Sequence, residues 1–187
     1  MSPETLMLLS MGLPLLGVAL VVIFGRQPNA REASTLAVAT AVFATTILLA
    51  SHVFGGLRPQ VALGMVLPGF EIAFAIEPLG MLFALVASSL WIVTTVYAIG
   101  YMRGHHESHQ TRFFACFAVA IFAALAAAYS ANLFTLFVAY EVMTISTYPL
   151  VTHHGTREAR RGGRVYLGIL LSTSIAFLCS PSLGPGA

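Results

Sequence analysis

The chain has 187 residues, of which 58% are hydrophobic and 9% are charged, with a formal net charge of +2. Soluble domains carry about 25% charged residues, and a soluble fold of this composition would expose large apolar patches. The composition therefore excludes an ordinary soluble protein and predicts an integral membrane protein. All nine basic residues are arginine, so the sequence offers no lysine that could relay protons or pair with a buried acid.

Five apolar runs are long enough to cross a bilayer as helices, because about 20 residues span the hydrocarbon core. They cover residues 5–24, 33–54, 79–102, 113–129 and 132–151. The last two belong to a stretch, residues 113–156, that contains a single charge and is about twice as long as a membrane is thick. The chain must fold back within it. Residues 129–132 are predicted as the turn, with Ser130 or Asn132 as the cap of the next helix.

The segments between these runs are shorter and more polar. Residues 25–32 are predicted to form a polar loop. Residues 57–77 contain prolines and glycines around a short β-compatible stretch, which favours an ordered extramembrane loop with a small hairpin. Residues 165–178 begin a sixth span that is too short to cross the membrane. The predicted fold class is all-α, a polytopic transmembrane helical bundle with five spans and an incomplete sixth.

The arginines are unevenly distributed among the loops. Eight of the nine fall in the first, third and fifth loops, and Arg58 alone lies in the second. Cytoplasmic loops carry an excess of basic residues. We therefore expect a multi-pass protein of the cell inner membrane, with its N-terminus outside and its arginine-rich loops in the cytoplasm.

Glu141 is the one charged residue inside the five apolar runs. A charge at the centre of a membrane helix costs about 2.5–3.5 kcal/mol on insertion scales, and acids retained there usually mark an ion or proton pathway. Thr144 and Tyr148 fall on the same helical face and can hydrogen-bond the acid or hold water beside it. We expect Glu141 to carry protons with Thr144 and Tyr148 in support. The alternative is a protonated structural acid bonded to a neighbouring helix.

His153 and His154 follow this run at the membrane edge. Histidine changes charge near physiological pH, so the pair can pass protons between the cytoplasm and the interior. An ordinary interfacial loop is the equal alternative. The sequence has no nucleotide-binding motif, no span with two deep histidines for haem and no cysteine spacing for a metal. We therefore expect no cofactor, no bound metal and no nucleic-acid partner.

Two stretches resemble a known family. They are NLFTLFVAYEVMTISTYPLVTHHGTREARRGGRVYLGILL, residues 132–171, and IEPLGMLFALVASSLWIVTTVYAIGYMR, residues 76–103. Both resemble the antiporter-like subunits of Mrp-type multisubunit cation/proton antiporters. The D-type subunit is the nearest of these, and the large membrane-arm subunits of complex I are related to it. The resemblance extends over most of the chain, to about residue 177.

The resemblance implies a role and partners. Glu141 stands at the place of the family's proton-pathway glutamate, which in the family pairs with a lysine on a later helix. The expected partners are other membrane subunits of the antiporter or complex I-like assembly, the lipid bilayer, and the protons and monovalent cations, such as Na⁺, that are exchanged. Residues 1–178 are interpreted as the N-terminal part of an antiporter-like transmembrane domain. Residues 179–187 are interpreted as the aberrant tail of a truncated chain.

Two alternatives to the antiporter interpretation stay open. One is a proton-pumping membrane-arm subunit of an NADH:quinone oxidoreductase or a membrane hydrogenase, with no redox centre of its own. The other is a non-functional fragment. In the antiporter interpretation the chain is a transporter subunit and not an enzyme.

Overall fold

The computed structural model of the chain describes residues 1–67, 70–105, 109–151 and 157–178. These residues form six helices and one hairpin: α1 (Pro3–Ile23), α2 (Pro28–Phe54), β1 (Gln60–Leu67), β2 (Phe70–Ala75), α3 (Pro78–Gly104), α4 (Gln110–Ala128), α5 (Leu133–Val151) and α6 (Arg157–Leu178). Within this part of the chain, the five helices α1–α5 are long and apolar enough to cross a membrane, and α6 is not among them. The predicted helical membrane bundle is confirmed.

Several helix ends follow from local sequence. Ser2 accepts a hydrogen bond from the Thr5 amide at 3.2 Å and caps α1. Proline occupies the first position of α1, α2 and α3, where its fixed φ suits a helix and its missing N–H costs nothing. These signals explain why the observed bounds of α1 and α3 lie within two residues of the predicted spans.

The first four helices enclose most of the core. Helix α1 packs against α2 and α4, α2 packs against α3, and α4 runs along α5. Large side chains buried among them include Met7, Leu49, Trp91 and Leu125. Helix α3 comes very close to the end of α4 at Gly80, where a Cβ atom would lie 2.2 Å from the Ala128 carbonyl oxygen.

The predicted hairpin is confirmed: the β-compatible stretch, residues 70–77, contains β2, and β1 lies before that stretch. Strands β1 and β2 pair antiparallel, with Gln60 opposite Ala75, and Gly64 has a φ of 125° beside an irregularity in the pairing. The hairpin docks on the turn between α4 and α5. The Ala75 amide donates to the Tyr129 carbonyl oxygen at 2.7 Å, and the Ala131 amide donates to the Ala73 carbonyl oxygen at 2.9 Å.

Two predicted loops are partly wrong. Helix α2 begins at Pro28, so Asn29, Arg31 and Glu32 are helical and not part of a loop over residues 25–32. Glu32 pairs with Arg103 of α3, and Arg31 donates to Thr111 of α4; sequence alone does not reveal these partners. Residues 157–164, whose four arginines were assigned to the fifth loop, form the first turns of the 22-residue α6, because arginine, alanine and glutamate favour helix. The predicted tail, residues 179–187, lies outside the described residues.

Candidate functional site

The site helix α5 is anchored at its start. The Asn132 side-chain oxygen accepts from the Thr135 amide at 2.7 Å, which confirms Asn132 as the cap. The Asn132 amide group also donates to the Glu71 carbonyl oxygen at 2.8 Å, and the Thr135 hydroxyl accepts from the Ala73 amide at 3.0 Å. The first turn of α5 is therefore tied to strand β2, which fixes its height relative to the hairpin.

Glu141 is the ninth of the 19 residues of α5, so its carboxyl group lies near the middle of the span. Both carboxyl oxygens are shielded from the surface, and neither has a hydrogen-bond partner among the described residues. An ionised carboxylate without partners is costly away from water. The position therefore suits a group that takes up a proton, a water molecule or a cationic partner.

The structure places two of the predicted supporting residues on the same helix as Glu141. Thr144 is buried and Tyr148 is half-buried. Neither forms a hydrogen bond to the carboxyl group in this structure, and their supporting role stays a prediction. His153 and His154 fall in residues 152–156, outside the described part of the chain, so their predicted role stays a prediction.

Other hydroxyls near the acid are occupied by their own backbone. Ser146 donates to the Met143 carbonyl oxygen at 2.8 Å, and Thr147 donates to the Thr144 carbonyl oxygen at 2.9 Å. Serine and threonine commonly satisfy themselves this way inside helices. These two hydroxyls therefore add less polarity around Glu141 than their proximity in sequence indicates.

An open apolar groove of about 360 Å³ lies between α4 and α5. Ile145, one helical turn after Glu141, forms part of its wall. The lining residues are Ala115, Cys116 and Val119 of α4 and Val142, Ile145, Ser146 and Pro149 of α5. Because α4 forms one wall of this groove, the shape of the groove depends on how α4 is placed against α5. Within the residues described, no three His, Cys, Asp or Glu side chains lie together as metal ligands would.

A second polar cluster lies where α2 begins, α3 ends and α4 begins, and the sequence did not indicate it. We call it the Arg31 cluster: Asn29, Arg31, Glu32, Arg103, Gln110 and Thr111. Glu32 accepts from Arg103 Nε at 3.2 Å and from a terminal nitrogen of the same guanidinium at 2.5 Å. That nitrogen also donates to the Asn29 side-chain oxygen at 2.6 Å. Glu32 and Arg103 are 71 residues apart, so local pattern could not pair them.

Known proteins with related sequences include some that are named as antiporter subunits. A family model described as NADH-ubiquinone oxidoreductase (complex I), chain 5 N-terminus, matches residues 68–114. Antiporter subunit mnhD2 of Staphylococcus aureus, in strains JH9 and Newman, is 26% identical over 180 residues. The match covers 94% of this chain and 35% of the relative, so the chain spans about a third of the length of these curated relatives.

A solved structure shares the fold. A chain of the membrane-bound sulfane sulfur reductase, an archaeal respiratory membrane complex, superimposes with a TM-score of 0.76 at 18% identity. The superposition covers 91% of this chain and 26% of the other. The likeness to antiporter-like membrane subunits of multisubunit complexes, which the sequence indicated, is thus confirmed.

Proposed function

We propose that this chain is a membrane subunit of a multisubunit monovalent cation/proton antiporter, and that Glu141 carries the protons exchanged for Na⁺ or a similar cation. The observation that carries the proposal is the buried carboxyl group in the middle of α5, which has no hydrogen-bond partner among the described residues. The arginine distribution indicates the orientation of the chain in the membrane: the N-terminus would lie outside and the arginine-rich loops in the cytoplasm.

The proposed role requires Glu141 to bind and release a proton reversibly. A carboxyl group in apolar surroundings is neutral when protonated and costly when charged, unless water or a cation reaches it. Such a group binds a proton while it is enclosed and releases it when a hydrated path or a cationic partner arrives. Thr144 and Tyr148, on the same helix, would hold water within reach of the acid, and His153 and His154 would connect it to the cytoplasm.

The test is sodium-driven proton movement in inverted membrane vesicles that contain the assembled complex. Glu141→Gln keeps the size of the side chain but cannot bind and release a proton at physiological pH. We expect the pH-sensitive dye signal after NaCl addition to fall to the vesicle background, with the subunit still present in the membrane. Exchange near the parental rate would show that Glu141 is structural.

The matched control is Glu71→Gln. It makes the same carboxyl-to-amide change at an exposed position on β2, outside the membrane-spanning helices. The β2 contacts to α5 at this residue use its backbone carbonyl oxygen, which the substitution keeps. We therefore expect Glu71→Gln to exchange protons at the parental rate.

A second candidate is a proton-pumping subunit of a complex I-like redox assembly. It is favoured by the family description that matches residues 68–114 and by the fold shared with a subunit of a respiratory complex. Affinity purification followed by mass spectrometry separates the two candidates. Small membrane antiporter subunits in the purified complex support the first, and iron–sulfur and flavin subunits support the second.

A further inference from the structure

Arg31 makes three contacts to the first turns of α4. Its two terminal nitrogens donate to the Thr111 hydroxyl at 3.1 Å and to the Gln110 side-chain oxygen at 2.6 Å. Its guanidinium carbon lies 5.5 Å from the centre of the Phe114 ring, within cation–π range. Arg31 itself is only 4% exposed. Contacts to three positions around one helix end specify both the rotation and the height of that helix.

The α4 residues that Arg31 contacts are also tied to other backbones. The Thr111 hydroxyl donates to the Gly25 carbonyl oxygen at 3.2 Å, in the connection between α1 and α2. The Gln110 amide group donates to the Met102 carbonyl oxygen at 3.2 Å, near the end of α3. Arg31 therefore joins α2 to the start of α4, which is itself hydrogen-bonded to the α1–α2 connection and to the end of α3.

The charges of the cluster favour a role in fixing the register of α4, which is its position along and around its own axis, over a role in stability. A terminal nitrogen of Arg31 lies 3.5 Å from a Glu32 oxygen, and both side chains are 5% exposed. Arg31 Nε is buried and has no hydrogen-bond partner among the described residues. Buried ion pairs contribute little net stability compared with apolar packing, and their best-attested use is to specify one arrangement over its neighbours.

The register of α4 decides which residues line the groove beside Glu141. Ala115 and Cys116 follow Phe114 directly and face Val142 and Ile145 of α5 across that groove. A one-residue slip would turn the α4 face by about 100° and move it by about 1.5 Å. A phenylalanine, Phe114 or Phe117 according to the direction of the slip, would then enter the groove, and an alanine would take the place of Val119.

We propose that Arg31 is a positioning residue that sets the register of α4 against α5, and through it the surroundings of Glu141. The consequence for proton exchange rests on the proposed function. The consequence for register does not, because it is a statement about α4 and α5 alone.

The register is measured with two thiols across the groove. Cys116 is one, Ile145→Cys supplies the other, and Cys179→Ser removes the second natural cysteine. Cys116 is partly exposed and Ile145 is 57% exposed, so a short apolar bismaleimide can reach both. Intact mass distinguishes one bridging reagent from two single adducts. This chain in membranes, otherwise unaltered, is expected to show mainly the bridged product.

Arg31→Lys keeps the charge but loses the planar two-pronged contact, and we expect the bridged fraction to fall several-fold. The control Arg26→Lys makes the same change at an exposed position and is expected to bridge like the parent. The reciprocal exchange Arg31→Gln with Gln110→Arg returns a guanidinium and an amide to the same two positions. It is expected to restore the bridging, and the exchange rate with it, which general destabilisation would not allow.

Thr111→Val provides a second route if Arg31→Lys does not accumulate in membranes. It removes the acceptor on α4 while leaving the guanidinium beside Glu32, and it is expected to reduce bridging as well. Parental bridging in the substituted chain would overturn the positioning role. Because bridging is measured without transport, that result would not bear on the proposed proton-carrying role of Glu141. A failure of Glu141→Gln to reduce exchange would likewise leave the register measurement intact.

Discussion

The close approach of α3 to the end of α4 at Gly80 makes a quantitative prediction. A Cβ at this position would lie 2.2 Å from the Ala128 carbonyl oxygen, so Gly80→Ala must separate the two by about 0.8 Å to reach even 3.0 Å. Overpacking typically costs about 1–3 kcal/mol. We expect the upper end, because the obstructing atom is backbone and the adjacent Tyr129 carbonyl oxygen holds the hairpin through Ala75.

The helical preference of alanine over glycine, about 0.8–1 kcal/mol, offsets part of that cost. The net expectation for Gly80→Ala is a loss of about 2 kcal/mol in the free energy of unfolding. The matched control is Gly100→Ala on the same helix, where nothing lies within 4 Å of the added methyl group. It is expected to leave the protein unchanged or slightly more stable.

Unfolding of the detergent-solubilised chain can be followed by the fluorescence of Trp91, the single tryptophan. Its side chain is 1% exposed and lies on the same helix as both substitutions, so its emission reports loss of α3 packing. The unfolding midpoint of Gly80→Ala should fall clearly below that of Gly100→Ala. Equal midpoints for the two variants would refute the reasoning, since they would mean that α3 and α4 do not meet at Gly80.

The remaining predictions concern topology and the start of α5. Reporter fusions after Pro28, His106 and Gly162, on the arginine-rich side, are expected to report a cytoplasmic location. A fusion after Gly64, in the hairpin, is expected to report the outside. A cytoplasmic signal in the hairpin would contradict the proposed orientation. Asn132→Ala removes a helix cap and a hydrogen bond to β2, and it is expected to lower the free energy of unfolding by about 1–2 kcal/mol. An unchanged Trp91 unfolding midpoint would contradict the anchoring role of Asn132.

The features that the sequence predicted correctly are those decided by short-range physics. A bilayer requires about 20 apolar residues per helix, so hydropathy and length alone located the five spans. The single charge in residues 113–156 required a turn, and residues 129–132 contained the only suitable one, with Asn132 capping α5 as expected. The position of Glu141 near the middle of α5 followed from counting along the same run.

Supporting contacts around Glu141 were harder to predict because a helical face specifies direction and not partners. Thr144 and Tyr148 share the helix with the acid, yet neither forms a hydrogen bond to its carboxyl group in the structure. The hydroxyls of Ser146 and Thr147 are taken by nearby carbonyl oxygens. Which polar groups remain available depends on side-chain rotation and on neighbouring helices, and neither is encoded in residue spacing.

The sequence by itself determined the class of the protein, its spans and the acid at the centre of one of them. Only the tertiary structure decided that α2 begins at Pro28, that Arg31 reaches Gln110 across 79 residues of sequence, and that Gly80 meets Ala128. The reason is the range of the interactions. The free energy of transfer from water to lipid depends on each segment separately, and it can be summed residue by residue along the chain. Ion pairs, close backbone approaches and grooves exist only once segments distant in sequence are brought together.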